Sequence, residues 1–272
     1  MERCEGTVEG VVNMKVVLLA GGLGTRLSEE TQSRPKPMVE IGEYPVLWHI
    51  MKIYSSFNFN EFVICCGYKG QIIKDYFLHY NRYRQTTNYR MDQKQIETYS
   101  EDIEPWTITM ANTGLKTLTA GRILKIKEYI GDDEEFMLTY GDGVGDIDID
   151  KLLEFHHSHG KLATISVVKP AGRFGAIKID ENSGEILNFK EKARKDQSWV
   201  NIGYMVFNRK VFDYLGDGSE MLEASPFEKL AADGQMMAYR HEGFWSPMDT
   251  VHDRKYLEEL WNGEEAPWKL WK

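Results

Sequence analysis

The chain has 272 residues, 42% of them hydrophobic, which is enough for a full buried core. Its formal net charge is −9 and it has no Lys/Arg-rich run, so a nucleic acid partner is not expected. The first apolar run, residues 16–20, is too short to span a bilayer, and Glu2, Glu5 and Glu9 stand where a signal peptide would be basic; a soluble, cytoplasmic protein with no membrane partner is expected.

Residues 1–13 show no apolar periodicity and read as an N-terminal extension outside the fold, leaving residues 14–272 as one domain. From there the pattern predicts a strand at 16–20, a helix at 46–57, a strand at 62–66 and a helix at 71–80. Cys65 and Cys66 fall in the second strand and read as small buried hydrophobes; with Cys4 they make no disulfide framework. The polar stretch 81–104 reads as an insertion, with oligomer contacts as one use for it. The alternation resumes at 107–111, 123–130, 136–140 and 152–157, and predicts an α/β fold with a mostly parallel, doubly wound sheet. Beyond about residue 160 come shorter pieces at 163–168, 174–179, 185–189 and 204–207, predicting added antiparallel strands in the C-terminal half.

The strongest local signal is Leu19-Ala20-Gly21-Gly22-Leu23-Gly24-Thr25-Arg26-Leu27, directly after the first strand, with Arg34-Pro35-Lys36-Pro37 shortly after. Glycines at a strand's end let backbone N–H groups approach phosphate. A Walker A loop would need Gly-Lys-Ser/Thr, and a dinucleotide fingerprint a third glycine where Leu27 stands, so both of those readings fail. Prolines on either side restrain the backbone that presents Lys36.

Gly141-Asp142-Gly143 follows the strand at 136–140, where open α/β sheets build their sites, and Trp245-Ser246-Pro247-Met248-Asp249-Thr250 offers a second carboxylate. Two carboxylates remote in sequence can hold one Mg²⁺ that keeps waters and takes substrate phosphates, although either aspartate alone reads equally well as a cap or turn residue. Asp146, Asp148 and Asp150 suggest a calcium loop, but Lys151 and His157 stand where glycine and glutamate are required; they read mainly as caps for a helix beginning near Lys151.

Gly172-Arg173-Phe174-Gly175, Phe189-Lys190-Glu191-Lys192 and Asn201-Ile202-Gly203-Tyr204 add a cation, a carboxylate and an amide suited to a sugar phosphate. The whole set resembles the nucleotidyltransferases that make sugar nucleotides, marked by G-G-x-G-T-R-L followed by P-K-P. Within them it is similar to the glucose-1-phosphate cytidylyltransferase branch, through Lys36-Pro37-Met38-Val39-Glu40-Ile41-Gly42, Leu47-Trp48-His49-Ile50-Met51-Lys52, Cys65-Cys66-Gly67-Tyr68-Lys69-Gly70, Glu104-Pro105-Trp106, Thr139-Tyr140-Gly141-Asp142-Gly143 and Ala266-Pro267-Trp268-Lys269.

The resemblance implies a three-layer, Rossmann-like α/β fold, a homo-oligomer, Mg²⁺, and CTP and a sugar 1-phosphate as substrates. The implied products are CDP-glucose and pyrophosphate, a step toward dideoxysugars of bacterial surface polysaccharides such as O-antigen. Leu19, Ala20, Gly21, Gly22, Leu23, Gly24, Thr25, Arg26, Lys36, Thr117, Arg122 and Gly141 are implied to bind nucleotide. Asp142 and Asp249 are implied to hold the metal, and Glu191, Lys192 and Asn201 the sugar phosphate. Residues 14–160 then form a nucleotide-binding half and 161–272 a sugar-binding half. Ala193 stands where the family often has proline and Ile202 where it has a small residue, both on the sugar side.

The chemistry expected is in-line attack on the α-phosphorus, catalysed by positioning and charge neutralisation. Arg26 would neutralise pyrophosphate, Lys36 the transferred phosphoryl group, and Asp142 and Asp249 would act through the metal. The rival readings are another nucleotide or phosphorylated acceptor, a metal-dependent glycosyltransferase using Asp146 to Asp150, and a non-catalytic sugar-nucleotide binder.

Overall fold

Alternation within strand β1 (Lys15–Ala20) decides the layering, because successive side chains of a strand point to opposite faces. Val16, Leu18 and Ala20 pack into one buried cluster and Val17 into another. The same division runs through β2 (Glu61–Cys66), where Phe62, Ile64 and Cys66 face the first cluster and Val63 and Cys65 the second. A strand buried on both faces belongs in the middle of three layers.

The computed structural model describes residues 14–80, 86–99, 103–169, 176–179, 186–190 and 199–271. The remaining strands of the central sheet are β3 (Thr107–Asn112), β4 (Glu135–Tyr140), β5 (Ala163–Val168), β6 (Val200–Asn208) and β7 (Met236–Arg240), and the order across the sheet is β7-β5-β6-β4-β1-β2-β3. β1 pairs in parallel with β2 and β4, β2 with β3, and β5 with β7, whereas β6 runs antiparallel to both β4 and β5. The sheet is therefore mixed but mostly parallel, as expected, and both halves of the chain contribute strands to it.

Helices α1 (Val46–Ser55), α2 (Gly70–Leu78), α4 (Ile149–His159) and α6 (Val251–Asn262) cover the first face, and α3 (Thr119–Lys125) and α5 (Ser225–Ala232) the second. Each fully buried Val, Leu or Ile in these clusters contributes roughly 1.5–3 kcal/mol of apolar burial. The first cluster ends in an aromatic cap: Trp268 stacks near Phe244 and Trp261, and its indole N–H donates to Nδ1 of His49 at 3.3 Å. No helix among the described residues is long and apolar enough to cross a membrane.

Three details differ from the sequence reading. The helix expected at 123–130 starts earlier, at Thr119, and is interrupted at Ile126 before a single turn, Lys127–Ile130. Part of the insertion at 81–104 is a hairpin, Thr86–Arg90 against Gln95–Tyr99, with Tyr89, Met91 and Ile96 exposed. Asp148 does cap α4, accepting from the Lys151 N–H at 3.0 Å, but Asp146 does not cap it: it faces His241, with Oδ1 3.0 Å from Nε2. Residues 1–13 and the cluster Gly172-Arg173-Phe174-Gly175 lie outside the described residues.

Candidate active site

β1 delivers the glycine loop to the C-terminal edge of the sheet, and two hydrogen bonds to one carbonyl fix its first turn. The Gly21 oxygen accepts from Tyr68 N–H at 3.1 Å and from Nη2 of Arg122 at 2.8 Å. Gly21 is glycine because a Cβ there would lie 2.1 Å from Nη1 of Arg122. Gly24 has φ +65°, a left-handed conformation that favours glycine, and its carbonyl accepts from Leu27 N–H at 3.1 Å. Arg122 is buried and gives two further N–H groups to Thr113 Oγ1 at 2.6 Å and the Gly114 carbonyl at 2.9 Å, so it ties the loop to the start of α3. Burial lowers its pKa from the ordinary value.

Lys36 opens a one-turn helix, Lys36–Met38, entered through Pro35 and closed by Val39 N–H donating to the Lys36 carbonyl at 3.0 Å. That turn buries the Lys36 stem and sends Nζ to 2.7 Å from Asp142 Oδ2 and 2.5 Å from Asp249 Oδ1. Asp142 reaches this point because β4 ends beside β1, with Gly141 N–H donating to the Leu19 carbonyl at 3.2 Å. Asp249 is brought by a short antiparallel pair, Gly143–Gly145 against Trp245–Pro247, and precedes the capping box of α6 formed by Thr250 and Asp253.

These elements enclose a cleft of about 370 Å³ lined by Leu19, Gly21, Gly22, Gly24, Thr25, Lys36, Thr117, Arg122, Gly141 and Asp142, all expected to bind nucleotide or metal. Ala20 instead joins the core and the Leu23 side chain is exposed, and neither is among the residues that line the cleft. The Arg26 backbone lies in the turn Thr25–Leu27; its side chain, and all of Glu191 and Lys192, lie outside the described residues. Asn201 sits on β6, where Oδ1 accepts from Gly203 N–H at 2.9 Å and the side chain hydrogen-bonds Tyr140.

Sequence reasoning did not single out Leu118, Thr119, Tyr140, Met221 and Glu223, which also line the cleft. Tyr140 directly precedes Gly141-Asp142, a signal that was available; the segment carrying Met221 and Glu223 matches no motif. Burial drives the Tyr140 phenol far above its ordinary range, and the Glu223 carboxylate adds to the effect, so the hydroxyl stays protonated and donates. Among the described residues no group of three or more His, Cys, Asp or Glu is placed to hold a metal ion. Asp142 and Asp249 bring two hard carboxylate oxygens around the Lys36 ammonium, a donor set that would fit Mg²⁺ completed by water and phosphate.

A family model described as nucleotidyl transferase matches residues 15–257. The chain is 48% identical over 259 residues to the glucose-1-phosphate cytidylyltransferase of Salmonella typhimurium, covering 95% of this chain and 100% of that protein. It is 42% identical, with the same coverage, to a probable glucose-1-phosphate cytidylyltransferase of Bacillus subtilis. Among solved structures, HddC from Yersinia pseudotuberculosis superposes with a TM-score of 0.67 at 22% identity, covering 91% of this chain and 99% of that one, a likeness of fold. The glycine loop, the lysine turn and the two aspartates thus stand in a chain that matches this family over nearly its whole length, and the protein belongs to the nucleotidyl transferase family.

Proposed function

We propose that the protein is a glucose-1-phosphate cytidylyltransferase, converting CTP and α-D-glucose 1-phosphate to CDP-glucose and pyrophosphate. The observation that carries the chemistry is the Lys36 ammonium held between Asp142 and Asp249, with Lys36 and Asp142 lining a glycine-rich cleft. The choice of base and sugar is supported by the likeness to the Salmonella and Bacillus proteins.

An oxygen of the sugar phosphate attacks the α-phosphorus of CTP in line. A new P–O bond forms as the bond to the bridging oxygen breaks, and its electron pair leaves with pyrophosphate. The nucleophile is already an anion and no covalent enzyme intermediate is required. The barrier is mostly that of bringing anions together, which positioned cations and N–H donors lower. Lys36 neutralises the transferred phosphoryl group, the glycine-loop N–H groups and Arg26 take the triphosphate, and Lys192, Glu191 and Asn201 hold the glucose 1-phosphate. Asp142 and Asp249 would hold Mg²⁺, which when bound supplies further charge neutralisation to the phosphates. The residues from 14 to 160 mainly serve the nucleotide and those from 161 to 272 the sugar. Cytoplasmic placement suits an enzyme fed by nucleoside triphosphates, and the exposed hairpin at 86–99 supports self-association.

Pyrophosphate release tests this reading with CTP, UTP, dTTP, ATP and GTP, each paired with glucose 1-phosphate and other sugar 1-phosphates in the presence of Mg²⁺. Release confined to CTP with glucose 1-phosphate is expected. Release with a different pair would keep the reaction class and overturn the substrate assignment; none in any pair would overturn the activity.

A further inference from the structure

The cleft contains a carboxylate that the proposed reaction does not use. Glu223 lines the same cleft as the glycine loop and Lys36, where a negative charge repels a triphosphate. It does not join Asp142 and Asp249 in a metal cluster, since no such group of three occurs among the described residues. The attacking phosphate is already ionised, so a general base has no proton to remove.

Glu223 is not what anchors its own segment either. Leu222 N–H donates to Thr119 Oγ1 at 2.6 Å and Ala120 N–H to the Glu220 carbonyl at 3.4 Å, so main-chain groups fasten this stretch to the start of α3. The carboxylate is instead aimed by two hydroxyls: Tyr140 donates to Oε1, and Thr119 Oγ1 to Oε2 at 3.4 Å. An ionised carboxylate has about four lone-pair sites, so two donors leave acceptor capacity at the cleft. The uncharged donors that a nucleotide or a sugar phosphate carries on neighbouring carbons are ring hydroxyls, whereas the cytosine amino group offers both N–H groups from one atom.

We propose that Glu223, oriented by Tyr140 and Thr119, accepts hydrogen bonds from a vicinal diol of the substrate, on the ribose or on the hexose, and thereby selects the ring that the cleft accepts. This rests on the nucleotidyl-transfer reading of the cleft. Glu223 is exposed in the free cleft, so the penalty for an analogue that lacks the hydroxyl arises where the bound substrate covers the carboxylate and leaves it short of a donor.

The test compares kcat/KM of the wild type, Glu223→Gln and Tyr140→Phe in two arms, CTP against 2′-deoxy-CTP and glucose 1-phosphate against its 2-deoxy and 3-deoxy analogues. The wild type is expected to favour the hydroxylated substrate in one arm by about tenfold or more. In Glu223→Gln that preference shrinks by about tenfold, through loss on the hydroxylated substrate, and the arm that collapses identifies the ring. Tyr140→Phe shrinks the same ratio by a smaller factor. A merely structural role would lower every kcat/KM alike, and unchanged ratios in both arms overturn the assignment. Wild-type turnover is the control: its absence overturns the functional reading on which the inference rests, whereas full turnover with unchanged ratios overturns the role of Glu223 alone.

Discussion

Asp142 and Asp249 deliver their carboxylates to one ammonium because the backbone beside them is paired. Met248 N–H donates to the Asp142 carbonyl at 2.8 Å, continuing the ladder in which Pro247 faces Gly143. Lys36 is then held by two like charges, and the two charges are held together by Lys36.

Removing that ammonium is expected to create a stronger cation site. In Lys36→Met the two carboxylates lose the ammonium that they share, so millimolar Mg²⁺ should raise the melting temperature of this variant by a few degrees, as a ligand that binds only the native state does. Adding Asp142→Asn to it should abolish the shift. Differential scanning fluorimetry across a Mg²⁺ titration checks both; a Lys36→Met protein indifferent to Mg²⁺ would contradict the pairing.

Gly21 and Arg122 should be energetically coupled. A methyl group at position 21 collides with the guanidinium, so Gly21→Ala should cost stability and raise the KM for CTP in the wild type, and cost distinctly less in an Arg122→Ala background. Arg122→Lys cannot reproduce the hydrogen bonds to Gly21, Thr113 and Gly114, and a loss of about 1–3 kcal/mol is expected. Urea unfolding of the four proteins of the cycle measures the coupling.

The acid limb of stability should depend on His49. The Ile41 carbonyl can only accept, at 2.9 Å, and the Trp268 indole can only donate, so the ring is neutral with its proton on Nε2. Burial pulls its pKa from 6.5 to about 4. Above pH 6.5 both states are neutral; as pH falls from there toward 4 the unfolded chain takes up a proton that the native state refuses, so stability is lost across that window, by on the order of 3 kcal/mol. His156 is held near 4 in the same way, so His49→Gln should flatten the loss only in part. Denaturant midpoints at pH 7 and pH 4.5 compare the two proteins; equal acid losses would contradict this account.

The adjacent thiols should be inert in the native state. Burial pushes Cys65 up to about 12 and Cys66 up to about 11. In a Cys4→Ser variant a thiol reagent at mildly alkaline pH should label nothing before denaturation and both residues after it. Rapid labelling of the folded protein would contradict their burial.

Much of this was legible in the sequence where local pattern and tertiary role coincide. The apolar run before the glycine loop reads as a strand because it is buried on both faces, and α1 is legible as a longer apolar run, eight of its ten residues being buried. Asp142 and Asp249 were each ambiguous alone. The three-residue strands that unite them are too short to leave a periodic trace, and the resemblance, not the spacing, linked the two. Arg122 is implied to contact nucleotide, yet its guanidinium is committed to protein groups from the Gly21 loop and the end of β3, a relationship visible only once those strands are adjacent. Asp146 looked like its neighbours in the aspartate string and is set apart by His241, which is remote in sequence. Glu223 carries no local signal, because what makes it notable is the cleft it faces.

The most direct measurement is pyrophosphate release from CTP and glucose 1-phosphate by the wild type and by Lys36→Met, at saturating substrate and Mg²⁺, with the fold of both checked by circular dichroism. The account predicts robust release by the wild type and a loss of about 100-fold or more in the variant, the scale of removing a charge-stabilising group from a reacting centre. Turnover of a folded Lys36→Met protein within about threefold of the wild type would contradict it, since effects of that size fall well below a charge-stabilising role.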